Sequence, residues 1–288
     1  MPITLNYTLQ DVFAARPFEG NSLTVFALEH PIDAVQMQAV TREMRQFESI
    51  FLTPGAQPTH FHARIFTMEE ELGFAGHPIL GAAVAMHRAH FAGHEAVELR
   101  FSTTEKTLFV TSRQSHGKWF AEMDQGEAAI TAPLADSTRP AWCAAFNLAP
   151  GDLADGLPLQ VISTGLPYLI VPVKQNLERA AITITDLEPR LAAVGAKFAY
   201  LIDVNHLEGR TWDNDGRVED SATGSAAGPV AAYLVAHGLC RKDGEIVLKQ
   251  GRFVHRPSEL LATVEGDAMR VRVSGQVVPM GWGVLESD

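Results

Sequence analysis

The distribution of apolar and polar positions predicts a chain dominated by strands. In ITLNYTLQ, Ile3, Leu5, Tyr7 and Leu9 alternate with polar residues, the period-2 signature of a half-buried strand. SLTVFAL (22–28), SIFLT (49–53) and HFHARIFT (60–67) also read as strands, as do AVELRFST (96–103), TLFVTSR (107–113) and KWFAEMD (118–124). The second half repeats the style with VIST (161–164), YLIVPV (168–173), FAYLIDV (198–204), EIVLKQ (245–250) and ELLATVE (259–265). MRVRVSG (269–275) and VVPMGWGVLE (277–286) read as two further strands. An amphipathic helix is predicted over 33–46 with Val35, Val40 and Met44 inward, and short helices near 138–147 and 186–194.

Two segments break this pattern. AGHPILGAAVA (75–85) and TGSAAGPVAAYL (223–234) are of helical length and almost without a polar face. A helix apolar all round must be buried on every side, and a sheet curled around it does that. Each segment opens with a glycine and a short polar residue, and each follows about half a domain of strands. The weak repeat predicts an α+β protein of two pseudo-symmetric halves, each a mixed sheet or barrel around a central helix, with an active site in a cleft between them. A composition shift over 125–138 is the best linker candidate. The expected halves are residues 1–118 with a return strand 278–288, and residues 119–277.

Each helix start projects unpaired N–H groups and about half a positive charge. Gly76 and Gly224 let a ligand approach the backbone, and Pro78 suits a first helical turn. Such heads can hold a carboxylate; they can equally serve only close helix–sheet packing. Glu219-Asp220 and Ser225 adjoin the second head, where an acid or hydroxyl can also be a simple cap. Asn21 in Gly20-Asn21 reads as a turn former.

Composition narrows the partners. The chain has 288 residues, 46% of them hydrophobic, and a net charge of −11. That balance disfavours a nucleic-acid or anionic membrane surface. The span-like stretch 222–239 contains Ser225, Pro229 and His237 and is too small-residue-rich to cross a bilayer. Cys143 and Cys240 match neither a metal spacing nor a disulfide framework, so a reducing, cytoplasmic setting is expected. MPITLNYTLQDVF lacks the pattern of a signal peptide.

Read together, the motifs resemble the PhzF (phenazine biosynthesis) family. FAGHPILGAA is similar to its FAGHP-T-LG signature, and VEDSATGSAAGPVAAYL to EDPATGSA-G-LAAYL. DVFAARPFEGNSLTVF and REMRQFESIFL match two further family segments in the family's order, over nearly the whole chain. The resemblance implies a diaminopimelate-epimerase-like fold, a homodimer, a small carboxylate substrate and no metal or organic cofactor. It implies an isomerase like that acting on trans-2,3-dihydro-3-hydroxyanthranilate, with Glu48 as the general acid/base. His77 and Asp220 fall on the family's other catalytic positions, and Gly76, Gly224 and Ser225 on its substrate-binding ones. The chain departs from the family where Arg45-Gln46-Phe47 replaces Asn-Leu-Ser before the glutamate, and where Ser22 and Ser221 replace prolines.

Local sequence alone reads Glu48 as a solvated acid at a helix end. Other classes remain open at this level. A two-thiol epimerase or racemase needs a cysteine at each helix head, where Gly76 and Ser225 stand. A metal site could draw on His87, His90, His94, His60 and His62, which otherwise read as an exposed helix end and loop. A non-catalytic carboxylate-binding protein could use the same helix heads.

Overall fold

A computed structural model describes residues 3–287. They divide into two compact units, residues 3–124 with 274–287, and residues 125–273. The chain passes between them within strands rather than in a loop. The first crossing, between Asp124 and Gln125, lies inside β8, and the second, between Val273 and Ser274, inside β16.

The strands of the first unit are β1 (Ile3–Val12), β2 (Asn21–Ala27), β3 (Glu48–Pro54), β4 (His60–Phe66), β5 (Glu71–Leu72), β6 (Ala96–Ser102), β7 (Thr107–Ser115) and β8 (Lys118–Glu127). The C-terminal strand β16 (Arg270–Ser287) joins them. The sheet is mixed: β2 lies parallel to β3, with Leu23 opposite Glu48, and β4 parallel to β6, while β1–β2, β3–β4, β6–β7 and β7–β8 are antiparallel. In the strand order β16 adjoins β8 and pairs again with β1, so eight strands return on themselves as a barrel. The two C-terminal strands expected from sequence are one strand, because the backbone stays extended through Gly275 and Gln276.

α2 (Gly76–His90) fills this unit, and every residue from Gly76 to His87 is buried. It packs against β1, β2, β3, β6 and β7. Gly81 makes the approach possible: a Cβ there would lie 2.5 Å from Leu23 Cδ2 and 2.9 Å from Val12 Cγ2. α1 (Ala34–Met44) covers the other face of the sheet over Leu5, Phe26, Phe51 and Phe66. A capping box starts it, Asp33 accepting from the Gln36 N–H and Gln36 from the Asp33 N–H. Its buried residues are Met37 and Thr41, with Val40 and Met44 packed alongside. Val35, expected inward, is 79% exposed, because the inward stripe follows Met37 and Thr41 one turn apart.

The second unit holds β9 (Ala129–Ile130), β10 (Gln160–Ser163), β11 (Pro167–Val173), β12 (Phe198–Asp203), β13 (Glu208–Arg210), β14 (Ile246–Gln250) and β15 (Ser258–Glu265). β11 and β12 run parallel, as do β13 and β14. α5 (Gly224–Ala236) is buried from Gly224 to Leu234 and packs on β10, β11, β12 and β15. α3 (Arg139–Ala145) and α4 (Leu187–Ala193) supply Trp142, Cys143, Leu187 and Leu191 to a separate core with Leu169, Val171, Val173 and Leu201. Successive strand residues point to opposite faces, so Tyr168 and Ile170 serve the α5 side. That explains the unbroken apolar run YLIVPV: both faces of β11 are buried. The architecture is α+β, as the repeat predicts.

Candidate active site

The α2 head gathers three of the residues that drew notice in the sequence. α1 ends where Arg45 turns left-handed (φ 52°), and the chain extends into β3 with Glu48 as its first residue. Asn21 starts β2, behind Gly20 at φ +68°, where a Cβ would lie 2.3 Å from the Val12 carbonyl oxygen. Parallel pairing of β2 with β3 brings both strand starts beside the helix head. His77 is the second residue of α2. Its Nε2 lies 3.1 Å from Glu48 Oε2, a close approach without hydrogen-bond alignment, and its Nδ1 is 3.4 Å from Asn21 Nδ2. Glu48, His77 and Asn21 are 6%, 3% and 1% exposed. Glu48 is therefore not the solvated helix-end acid that its local sequence suggests.

Burial pushes the His77 imidazole down to about 3, so it is neutral at working pH. The approach to the head is held from outside, with Lys106 Nζ 3.5 Å from the centroid of the Phe74 ring. Gly73 lies flat against Glu105, whose Cδ would be 2.1 Å from an added Cβ. No side chain caps the α2 head, where Ala75 is the N-cap residue, and its first turn carries no acid.

The α5 head is built differently. Thr223 is its N-cap residue, again without a side-chain cap bond. Asp220 does not cap the helix: its carboxylate accepts from the Ala222 N–H at 3.2 Å and the Thr223 hydroxyl at 2.5 Å. Gln250 ties this loop together. Its Nε2 donates to the Asp220 carbonyl (2.7 Å) and Thr223 Oγ1 (2.9 Å), while its Oε1 accepts from the Thr223 N–H (3.0 Å) and the Tyr200 hydroxyl (3.1 Å). Ser225 is no cap either; its hydroxyl bonds the Tyr168 hydroxyl at 2.7 Å. Gln125 donates to the Gly224 carbonyl at 2.8 Å and accepts from Thr164.

Glu219, beside Asp220, is committed elsewhere. It accepts a bidentate pair from Arg210 at 2.8 and 2.6 Å. Arg210 Nη1 also donates to the carbonyls of Leu177, Glu178 and Ala180, and its guanidinium lies between the Trp212 and Phe253 rings. Such a fully bonded buried guanidinium anchors the loop that ends in Asp220.

Sequence reasoning missed Gln250, Tyr168, Tyr200 and Arg210, and assigned Asn21 only to a turn. A signal existed for Gln250: Ile246, Leu248 and Gln250 alternate as buried positions of β14, so a polar side chain stands where the pattern demands an apolar one.

The histidines considered for a metal are engaged in other contacts. His87, expected at an exposed helix end, is fully buried, with Nδ1 2.9 Å from Ser112 Oγ and Nε2 3.0 Å from the His94 carbonyl oxygen. α2 stays inside the barrel for a turn longer than the sequence suggests. His60 Nε2 bonds Ser102 Oγ. Among the described residues no cluster of His, Cys, Asp or Glu has metal-holding geometry, and no helix is long and apolar enough to cross a membrane. Neither cysteine stands at a helix head: Cys143 lies in the α3–α4 core, and Cys240 follows α5.

Comparison with known proteins agrees with this fold. The family model described as phenazine biosynthesis-like protein matches residues 10–283. A trans-2,3-dihydro-3-hydroxyanthranilate isomerase of Pseudomonas chlororaphis is 32% identical, covering 97% of this chain and 99% of its own. A solved structure from Pseudomonas aeruginosa, described as a predicted epimerase, is 48% identical with a TM-score of 0.93, covering 99% of this chain and 100% of that one. A Bacillus anthracis phenazine biosynthesis protein of the PhzF family shares the fold at 22% identity and a TM-score of 0.84, covering 98% and 99%. A carboxylate and an imidazole buried together at a helix head suit proton transfer, and the chain carrying them belongs to the phenazine biosynthesis-like (PhzF) family and is an isomerase.

Proposed function

We propose that this isomerase moves a proton within a small cyclic amino or hydroxy carboxylate, as the name of its Pseudomonas chlororaphis relative describes, with Glu48 as general acid and base. The observation that carries the reading is the buried Glu48–His77 pair, 3.1 Å apart, at the uncapped head of α2. In an allylic shift one C–H bond breaks, its electron pair forms a new double bond, and the original double bond accepts a proton at its far carbon. Atoms and electrons balance without an electron carrier. One carboxylate can take the proton and return it, provided that it works in a dry pocket.

In this reading neutral His77 steadies Glu48, and the N–H groups near Gly76 favour a negative charge. Asp220 orients the substrate's polar groups, and Gly224 and Ser225 contribute to binding its carboxylate. Cofactor independence belongs to the same proposal. Phe47 precedes the base in sequence, where the family resemblance leads one to expect a hydroxyl, and bears on which substrate is accepted.

The test is NMR of trans-2,3-dihydro-3-hydroxyanthranilate with the protein in D2O, for wild type and Glu48→Gln. Turnover with deuterium incorporation, lost in Glu48→Gln, is expected. Folded wild type that neither turns over nor exchanges this compound removes it as substrate; Glu48→Gln turning over at the wild-type rate removes Glu48 as base.

A further inference from the structure

Asn21 does more than its turn requires. A neutral imidazole has one N–H and one lone pair, on different nitrogens. The amide nitrogen of Asn21, 3.4 Å from His77 Nδ1, can only donate. Nδ1 must then accept, and the imidazole proton goes to Nε2, the atom 3.1 Å from Glu48 Oε2. The opposite arrangement turns the Asn21 carbonyl toward Nδ1 and moves the proton there. It leaves a lone pair on Nε2 facing the Glu48 carboxylate, acceptor against acceptor. With Glu48 ionised, only the first arrangement is attractive.

We propose that Asn21 is a positioning residue that selects the Nε2–H tautomer of His77 and so places a donor rather than a lone pair on the nitrogen nearest the Glu48 carboxylate. The backbone is built for it. Gly20 is confined by the Val12 carbonyl, and the following residue enters β2 beside the helix head rather than turning outward. Asn21 and His77 are both almost fully buried, so water does not compete freely for the amide. The catalytic consequence rests on the reading of Glu48 as base: the Nε2–H tautomer offers the carboxylate a donor, where the other tautomer would set two acceptors against each other.

The experiment is a long-range 1H–15N correlation spectrum of histidine-labelled protein, with the His77 signals identified by their loss in His77→Asn. Wild type is expected to show a protonated Nε2 and a bare Nδ1. Asn21→Asp exchanges the donor for an acceptor of the same shape, so Nδ1 gains a proton. Asn21→Leu removes the bond, and the single tautomer gives way to a mixture. Protonation at Nδ1 in wild type overturns the proposal, as does a bare Nδ1 in folded Asn21→Asp. If Asn21→Asp does not fold, the wild-type and Asn21→Leu spectra decide, and an unchanged tautomer in Asn21→Leu counts against Asn21. In the isomerase assay Asn21→Asp is expected to lower kcat about 10- to 100-fold with KM within about twofold. A wild type inert toward the chosen substrate sinks the reaction reading alone, because the tautomer is read without substrate.

Discussion

The heads of α2 and α5 share a plan and differ in how they are held. Both begin with glycine, both are buried, and neither has a side-chain cap. Around α5 the loop is tied by a hydrogen-bond network in which Gln250 alone makes four bonds and the Asp220 carboxylate accepts two. At the α2 head a carboxylate and an imidazole approach closely without hydrogen-bond alignment, and the Asn21–His77 contact is long. Ser49 Oγ, next to Glu48, and Thr24 Oγ1, opposite Ser49 across the strands, have no hydrogen-bond partner among the described residues. A hydrogen-bonded network rigidifies; a carboxylate and an imidazole in close approach suit exchange of a proton. The duplicated architecture thus carries a tied loop at one helix head and a buried carboxylate–imidazole pair at the other.

Substitutions can break this contrast. The largest expected effect is on Glu48: Glu48→Gln keeps the shape and removes the base, lowering kcat about 10³-fold or more, measured by initial rates on protein of unchanged circular dichroism. A loss under tenfold would move the chemistry away from the α2 head. Next is Gln250→Leu, which strips partners from the Thr223 N–H, the Tyr200 hydroxyl and the Asp220 carbonyl. Leaving such buried groups unpaired is expected to cost about 3 kcal/mol or more of stability, read from urea unfolding. A cost near zero would show that the α5 head does not depend on its network.

Gly81→Ala sharpens the comparison from the packing side. The added methyl meets Leu23 and Val12 inside the barrel, and about 2 kcal/mol of destabilisation is expected in the same assay. Wild-type stability would mean that β1 and β2 yield to the helix.

The smallest effect per step of the experiment is a slope with pH. His77 is held at about 3 by burial, against about 6.5 in an unfolded chain. Between those values the unfolded state binds the extra proton. Stability therefore rises with pH across the window and falls on acidification, by at most ~1.4 kcal/mol per pH unit from this group. Unfolding curves at several pH values, compared with His77→Asn, should show the slope flatten in the variant; parallel slopes would mean that His77 takes up its proton while folded.

The candidate site was legible in proportion to how local its signals are. Glu48, His77, Asp220, Gly76, Gly224 and Ser225 lie in short motifs, so family resemblance identifies them as candidates, and the structure sets Glu48 against His77. Asn21 was visible only as a turn residue, because its contact with His77 spans 56 positions. The capping readings of Asp220 and Ser225 gave way to Thr223, a local partner three residues on, and to Tyr168, a partner 57 positions away that only folding supplies. Val35 fell outside its assigned stripe because its neighbours Met37 and Thr41 had the stronger claim on the core.

By itself the sequence determined the strand-rich α+β class, the two apolar helices and the wrapping sheets they require, since periodicity and all-round hydrophobicity are properties of the chain alone. It also determined which types of residue stand at each helix head. The tertiary structure decided that the C-terminal strands are one, that β8 and β16 each contribute to both units, and that Glu48 is buried beside a neutral histidine. It alone assigned Gln250 and Arg210 their anchoring roles. Those outcomes depend on strand register and long-range pairing, which bring together groups that no local pattern connects.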